Sequence, residues 1–230
     1  MSSFPIHFDS VNFTPSYCDS LDAVKFMNKK DAMIKSKDKT RHHHGNLRTA
    51  LIEAGIELLA EGGLDALSLR KCATRAGVSH AAPAHHFAGV EGLRAAIASE
   101  GFDRFRRRML DCADAGDQTP RGRLFGIARG YLAFAREEPA LYDLIFSFRA
   151  QSPMSAELAC AADPAYAVLR ETCAPFVPPG SDPVVIETQV WSLVHGYAML
   201  ILTGRFDRDP IDDDAFLTIL GEIGSGAECP

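Results

Sequence analysis

Two short stretches of the chain carry side chains whose types and spacing suit contact with a polyanion. The first holds the cations Arg70, Lys71 and Arg75, and guanidinium and ammonium groups bind phosphate oxygens. The second holds the imidazoles of His80 and His85 among alanines, whose small side chains allow a close approach to base edges. The chemistry that these residues predict is non-covalent recognition of phosphates and bases.

Motifs that carry covalent or phosphoryl chemistry are absent from the sequence. Gly77–Ala81 comes close to the hydrolase pattern G-x-S-x-G, but that turn follows a strand, and helical patterns stand on both sides here. The sequence has no phosphate loop, no dinucleotide fingerprint after a strand and no H-E-x-x-H motif. The run His42–His44 is of a kind that is more often incidental than metal-binding. We therefore predict no enzyme, no cofactor and no metal site.

Charge is divided unevenly along the chain, although the formal net charge is −6. Residues 35–110 hold 13 Lys and Arg against 8 Asp and Glu, whereas residues 111–230 hold 8 against 18. A basic segment joined to an acidic one indicates that two tasks are separated, and that the first segment faces a polyanion.

Cysteine usage and hydropathy indicate the compartment. The six cysteines show no C-x-x-C pair and no regular spacing, which predicts reduced thiols. The longest apolar runs, such as Tyr197–Thr203, are shorter than the roughly 20 residues of a membrane-spanning helix, and residues 1–28 lack the order of a secretory signal. These features predict a cytoplasmic protein with no membrane partner.

Apolar spacing predicts the helices that position the cations and imidazoles. A first helix runs from Asn46 to a stop at Gly62–Gly63. Ser68 is a good N-cap for a second, short helix, and Ser79 for a third that ends near His86. Two short helices that meet across a tight turn predict a helix-turn-helix, in which the second helix enters the major groove of DNA.

The rest of the chain also has helical spacing, beginning with a long helix after Gly89, and no convincing strand alternation. The later predicted helices are Arg121–Glu138, Ala140–Phe148, Ser155–Cys173, Pro183–Thr203 and Asp212–Ile223. The fold class predicted is all-α, with an N-terminal three-helix helix-turn-helix domain and a larger C-terminal helical domain, to which the family resemblance described below assigns dimerisation and ligand binding. The predicted divisions are a disordered tail with a basic arm at 1–40, the DNA-binding domain at 41–108 and the C-terminal domain at 109–230.

Candidate DNA contacts follow from this arrangement. The arm ends in Lys35, Lys37, Lys39 and Arg41, which suit phosphates or a minor groove. Within the helical domain, the candidates are the cations and the exposed side of the third helix. The predicted DNA-binding residues are Arg41, Arg70, Lys71, Arg75, Ser79, His80, Ala81, Ala82, His85 and His86. A later basic run, Arg104–Arg108, is more typical of a solvated helix face.

A composite pattern runs through Leu58-Leu59-Ala60-Glu61-Gly62-Gly63, Leu67-Ser68-Leu69-Arg70, Ala73-Thr74-Arg75-Ala76-Gly77-Val78-Ser79, His86-Phe87 and Leu93. This pattern resembles the N-terminal DNA-binding domain of the TetR family of bacterial transcriptional repressors over about 60 residues. Trp191-Ser192-Leu193-Val194-His195-Gly196 resembles a Trp-x-x-x-His-Gly motif of one C-terminal subclass. The sequence departs from the family at Ala84, where a phosphate-contacting Tyr is usual, and at Val90, where a Lys is usual.

The resemblance implies a homodimer that binds a double-stranded DNA operator and is released by a small-molecule effector. It also implies that the last two long helices pack against their mates, which points to the stripes Leu193, Tyr197, Leu200, Ile201 and Phe216, Leu217, Leu220. Aromatic and polar residues of the C-terminal domain could line the effector pocket or form ordinary core. The candidates for ligand binding are Tyr131, Phe134, Tyr142, Phe146, Trp191 and His195. The alternative function is a helical protein-interaction module that does not read DNA.

Overall fold

The computed structural model describes residues 41–151, 156–204 and 212–223, and every regular element in these ranges is helical. The all-α prediction is confirmed for this part of the chain. The α-helices are α1 Arg41–Ala66, α2 Leu69–Arg75, α3 Gly89–Ala115, α4 Pro120–Glu137, α5 Pro139–Gln151, α6 Ala156–Cys173, α7 Pro183–Leu202 and α8 Asp213–Leu217. Short 3₁₀ helices occupy Ala82–His85, Ala174–Phe176 and Thr218–Gly221. The predicted tail and most of the basic arm, residues 1–40, lie outside the described residues.

Helix α1 begins at Arg41, five residues before the predicted start at Asn46. Its regular part ends before Gly62, which is no longer helical, and Gly63 takes φ +66°, a left-handed conformation that glycine adopts without a steric penalty. A last turn then continues to Ala66. The predicted stop at Gly62–Gly63 is thus confirmed.

Helix α2 begins where its cap was predicted. The Ser68 hydroxyl oxygen accepts a hydrogen bond from the Lys71 backbone N–H at 3.1 Å, which satisfies a donor that has no partner inside the helix. Thr119 and Asp182 cap α4 and α7 in the same way, each followed by a proline at the first helical position. Side chains that precede the apolar runs therefore fix three helix starts.

Helices α3 and α4 pack closely because two glycines of α4 allow it. A Cβ on Gly126 would stand 2.5 Å from the Ala113 Cα, and one on Gly130 would stand 2.5 Å from both the Arg108 carbonyl oxygen and the Met109 Cα. Helix α3 passes without a break through the boundary predicted between residues 108 and 109. One continuous helix therefore connects the helix-turn-helix region to the C-terminal helices.

The two predicted dimer stripes are partly wrong. Tyr197 is buried inside its own chain, where its ring stacks on Phe216 with the centroids 3.8 Å apart, and Leu217 and Leu220 are buried as well. The predicted helix Asp212–Ile223 is only the short α8 and a 3₁₀ turn, which pack against α4 and leave Ile219 as an exposed apolar side chain. Salt bridges from Arg129 and Arg136 of α4 to Asp214 and Asp213 hold α8 in this position.

Helix α7 leaves exposed an apolar face that includes Leu200 of the predicted stripe but not Tyr197. Val184 and Val185 are each 53% exposed, Met199 is 40% and Leu200 is 45%. Among the described residues, α7 is also the one helix long and apolar enough to cross a bilayer, with a mean hydropathy of 1.3. The prediction of no membrane-spanning helix rested on the length of uninterrupted apolar runs, and Glu187 interrupts the run of apolar residues in α7. A single helix of this kind also suits the packed interior or interface of a helical bundle.

Candidate nucleic-acid interface and effector site

Helix α2 and the 3₁₀ helix Ala82–His85 meet across a turn at Gly77. Gly77 takes φ +68°, and the Val78 N–H donates to the Ala73 carbonyl at 2.9 Å, so the chain reverses sharply after α2. Cys72 and Ala73 are completely buried beneath this turn. The predicted helix-turn-helix crossing is present.

The second element is shorter and tighter than predicted. It is a 3₁₀ helix that begins at Ala82, and Ser79 supplies no side-chain cap; instead its carbonyl accepts from the Ala82 N–H at 3.0 Å. The predicted α-helix from His80 and the Ser79 cap are therefore wrong. Pro83 has no N–H to bond back to the Ser79 carbonyl, which removes the first α-helical bond and leaves the i→i−3 pattern.

The outward side of this element carries the predicted DNA contacts. Ser79, His80, Ala81 and His85 are exposed, and Ala82 and His86 are half-buried. Pro83 and Phe87 are buried and anchor the element to the domain. Arg70 and Lys71 are exposed on the neighbouring α2. Arg41 is the first residue of α1, and its side chain lies outside those described.

Arg75 is engaged inside the domain. Its guanidinium nitrogens lie 2.7 and 2.6 Å from the two carboxylate oxygens of Glu61 and 3.2 Å from Glu57, both on α1. The hydrogen bonds from Arg75 hold the pKa of the Glu61 carboxyl below its usual value. Arg75 thus fastens α2 to α1, and its predicted contact with DNA stays a prediction.

A buried polar group joins three helices of the C-terminal region. The Nδ1 atom of His195 lies 2.7 Å from the Tyr131 hydroxyl and 2.8 Å from the Tyr142 hydroxyl, and the two hydroxyls lie 3.3 Å apart. These residues belong to α7, α4 and α5. We call Tyr131, Tyr142 and His195 the phenol–imidazole group.

Burial keeps the phenol–imidazole group uncharged. It raises the pKa of Tyr142 to about 12 and that of Tyr131 well above the usual range, and it lowers the pKa of His195. At neutral pH the phenols keep their protons and the imidazole is neutral. The group is therefore held together by hydrogen bonds and carries no net charge.

Aromatic rings surround the phenol–imidazole group. The Phe146 ring lies 4.7 Å from that of Tyr142 and 5.0 Å from that of His195, centroid to centroid. Phe105 of α3, which the sequence prediction missed, stands 4.9 Å from the Tyr131 ring. The Phe134 ring contacts the Phe105 ring, with the two centroids 5.3 Å apart, and so borders the group. Four of the six predicted ligand residues thus lie together, and a fifth borders them.

Trp191, the sixth predicted ligand residue, borders the phenol–imidazole group, where a hydrogen bond from its side chain acts on Tyr131, and it also belongs to a second aromatic cluster. Its ring centroid is 6.0 Å from that of Tyr166, whose hydroxyl donates to the carboxylate of Glu187. Burial, followed by the hydrogen bond to Glu187, raises the pKa of Tyr166 to about 12. Glu187 is only 3% exposed. Glu187 precedes Trp191 by four residues, and Trp191 precedes His195 by four. This spacing is a sequence signal that all three share one side of α7.

Three of the four arginines in the basic run of α3 form ion pairs with neighbouring carboxylates. Arg104 is 23% exposed and binds Glu53 of α1 at 2.6 Å, Glu100 at 3.0 Å and Glu138 at 3.2 Å. Arg107 pairs with Glu100, and Arg108 pairs with Glu137. Arg104 therefore connects α1 of the helix-turn-helix region to the end of α4. No group of three His, Cys, Asp or Glu side chains that could hold a metal ion occurs within the described ranges.

Comparison with known proteins gives matches for both parts of the chain. Residues 51–97 match the family described as "Bacterial regulatory proteins, tetR family", and residues 124–221 match the "Tetracyclin repressor-like, C-terminal domain". An uncharacterised HTH-type transcriptional regulator of Mycobacterium tuberculosis, Rv0681, is 26% identical over 179 residues, which cover 74% of this chain and 76% of that protein.

Solved structures share the fold. A protein of unknown function from Rhodococcus sp. RHA1 is 26% identical, with a TM-score of 0.69, over 81% of this chain and 97% of that one. The transcriptional regulator FadR of Bacillus subtilis, solved in complex with stearoyl-CoA, is 15% identical, with a TM-score of 0.59, over 77% of this chain and 98% of that one.

Proposed function

The chain belongs to the TetR family and is a DNA-binding transcriptional regulator, and from this premise we propose that it acts as a homodimeric repressor that a small-molecule effector releases from its operator. The observation that carries the effector part of this proposal is the phenol–imidazole group, which joins α4, α5 and α7 and contacts α3 through Phe105.

The exposed helix-turn-helix supports operator reading over the alternative of a protein-interaction module. His85 is exposed on the 3₁₀ helix, and His80 is exposed just before it. The cations Arg70 and Lys71 are exposed on the neighbouring α2. Base-reading side chains flanked by phosphate-binding ones are what a major-groove element needs. An apolar exposed face, which a protein partner would require, lies on α7 instead.

The exposed face of α7 supports the homodimer. Val185, Ser192, Gly196 and Leu200 lie on one side of the helix, and a Cβ added to Gly196 would meet no atom within 4 Å. Small residues between apolar ones permit a close approach of a second helix, and a two-fold axis would place α7 against its own copy. A two-fold dimer requires an operator with inverted half-sites.

Effector action is proposed to pass along α3. Phe105 touches the phenol–imidazole group, and the same helix buries Leu93 and Ile97 in the helix-turn-helix region. Arg104 adds its ion pair to Glu53 of α1. A ligand that moves Tyr131 or Phe105 would therefore shift the helix that positions the DNA-reading element. A tenfold change in the dimer equilibrium requires about 1.4 kcal/mol of differential binding.

The effector is expected to have an apolar body with hydrogen-bonding groups. Aromatic rings line the phenol–imidazole group, and its own members carry no charge at neutral pH. The acidic balance of residues 111–230 disfavours a polyanion. We propose a cytoplasmic site of action, and no catalytic role, because the family consists of soluble regulators.

Removing one hydroxyl tests the effector site. Small apolar molecules are first screened for release of labelled operator from the unaltered protein. The concentration of each active compound that releases the operator should be about tenfold higher for Tyr142→Phe, because one hydrogen bond to the compound or to His195 is lost. Operator affinity without the compound should stay nearly unchanged. The measurement is fluorescence anisotropy of the labelled operator.

The matched control is Asp163→Asn, an exposed position on α6, which should respond like the unaltered protein. Trp191 is the sole tryptophan and reports binding through its fluorescence. If compounds release Tyr142→Phe, His195→Ala and Trp191→Phe at unaltered concentrations, the effector site lies elsewhere and these residues are core.

A further inference from the structure

The side chain of Thr74, at the end of α2, lies against the ring of His80 on the far side of the turn. The Thr74 Oγ1 is 3.0 Å from the Arg70 carbonyl oxygen and 3.2 Å from the His80 Nε2. The hydroxyl therefore stands between an atom that only accepts hydrogen bonds and a ring nitrogen that either donates or accepts.

The single hydrogen of the Thr74 hydroxyl determines the direction of its bonds to the Arg70 carbonyl and to His80. The Thr74 hydroxyl has one hydrogen, and the Arg70 carbonyl can interact with it only as an acceptor. When that hydrogen goes to the carbonyl, the Oγ1 lone pairs are free to accept, and the His80 Nε2 must carry a hydrogen to donate. This is the arrangement in which both contacts are hydrogen bonds.

In the neutral ring, this arrangement leaves the remaining nitrogen of His80 as an acceptor. A neutral imidazole carries one hydrogen, so an Nε2–H donor leaves Nδ1 with an unshared pair. The side chain is exposed, and Nδ1 has no hydrogen-bond partner in the described part of the chain. A phosphate oxygen also only accepts, and it therefore does not suit this tautomer.

We propose that Thr74 sets the tautomer of His80, and that His80 Nδ1 reads a hydrogen-bond donor on a base edge of the operator. In the major groove that donor is the N6 amino group of adenine or the N4 amino group of cytosine, whereas guanine and thymine present acceptors. The position that His80 faces therefore prefers adenine or cytosine on the contacted strand. This inference rests on the proposed operator reading. Thr74 is a positioning residue, since it acts through His80.

The first test compares base preferences. DNA selected from a random pool by the unaltered full chain supplies the operator, and every position is then replaced by each other base. We expect one position in each half-site to favour adenine or cytosine about tenfold. His80→Ala should lose that preference. Thr74→Val, which has nearly the same shape but no hydroxyl, should weaken it, and Thr74→Ser should restore it.

The second test needs no DNA. Nitrogen-15 labelling of histidine, followed by NMR at a pH where imidazoles are neutral, reports which nitrogen of His80 carries the hydrogen. We expect the Nε2–H tautomer in the unaltered chain and in Thr74→Ser, and a detectable share of the Nδ1–H tautomer in Thr74→Val.

The outcomes separate this inference from the proposed function. An Nδ1–H tautomer in the unaltered chain, or an unchanged tautomer in Thr74→Val, overturns the role of Thr74 whatever the DNA result. A base preference that His80→Ala leaves intact overturns the reading by His80. If the pool yields no operator, the proposed operator reading fails, and with it the inference that rests on it, while the NMR result still decides the tautomer assignment.

Discussion

An aspartate at Leu200 is expected to yield a monomer that binds the operator at least about a hundredfold more weakly than the unaltered protein. Leu200 is 45% exposed on the apolar face of α7, where a two-fold axis would bring it near its own copy. Two carboxylates buried there would lose water and repel each other. A monomer binds only one half-site and loses the affinity that comes from binding both half-sites at once. Light scattering gives the mass, and anisotropy at fixed salt gives the affinity.

Ala115→Asp is the matched control, since it adds the same charge at an exposed position on α3 instead of α7. It should remain a dimer with nearly full affinity. Tyr197→Asp serves as a second comparison, and because Tyr197 is buried against Phe216 it should lower the free energy of unfolding instead of only separating the subunits. A Leu200→Asp protein of dimer mass, or an unaltered protein that is monomeric at micromolar concentration, contradicts the proposed interface.

Replacing Gly130 by alanine is expected to lower the free energy of unfolding by about 3 kcal/mol. The new methyl group would stand 2.5 Å from the Arg108 carbonyl oxygen and the Met109 Cα, which are backbone atoms that cannot rotate away. Helix α4 must then move from α3, and the rings of Tyr131 and Phe105 would lose their contact. Urea unfolding followed by circular dichroism measures the effect at one protein concentration, because dimer stability depends on concentration.

Gly92→Ala is the control for this prediction. Gly92 also lies in a helix, but a Cβ there would meet the Ala88 Cβ at 3.5 Å, which is ordinary contact. Alanine favours helix over glycine by about 1 kcal/mol, so this variant should be slightly more stable than the unaltered protein. The two substitutions are chemically identical, and they are expected to change the free energy of unfolding in opposite directions. Equal effects would mean that the α3–α4 approach is looser than described.

Much of the fold follows from local sequence signals. The stop at Gly62–Gly63 and the cap at Ser68 depend on the conformations of single residues, and both appear as predicted. The prediction of an α-helix after Ser79 is wrong because Pro83, although it lies in the first turn, lacks the N–H that the first α-helical bond needs. Tyr197 was placed on the wrong side of α7 because the return of α8 onto its own chain is a tertiary feature.

The sites could be predicted by residue type but not by contact. Tyr131, Tyr142 and His195 were expected near a ligand, yet their shared hydrogen bonds join residues 53 and 64 positions apart in sequence. The pairing of Arg75 with Glu61 likewise depends on how α1 and α2 cross. Periodicity specifies a helix face but not the partner of that face, which is why Phe105 and the buried Glu187 were missed.

Operator selection from a random DNA pool, followed by salt-dependent titration, tests the DNA-reading role of the helix-turn-helix most directly. The unaltered chain is predicted to enrich an inverted repeat and to bind it far more tightly than a shuffled fragment of the same length. Arg70→Ala should weaken binding to both fragments and reduce the slope of log affinity against log salt by about 1, whereas His85→Ala should alter preference at particular base pairs. Equal affinity for the selected and shuffled fragments, with no change in either variant, would contradict the account.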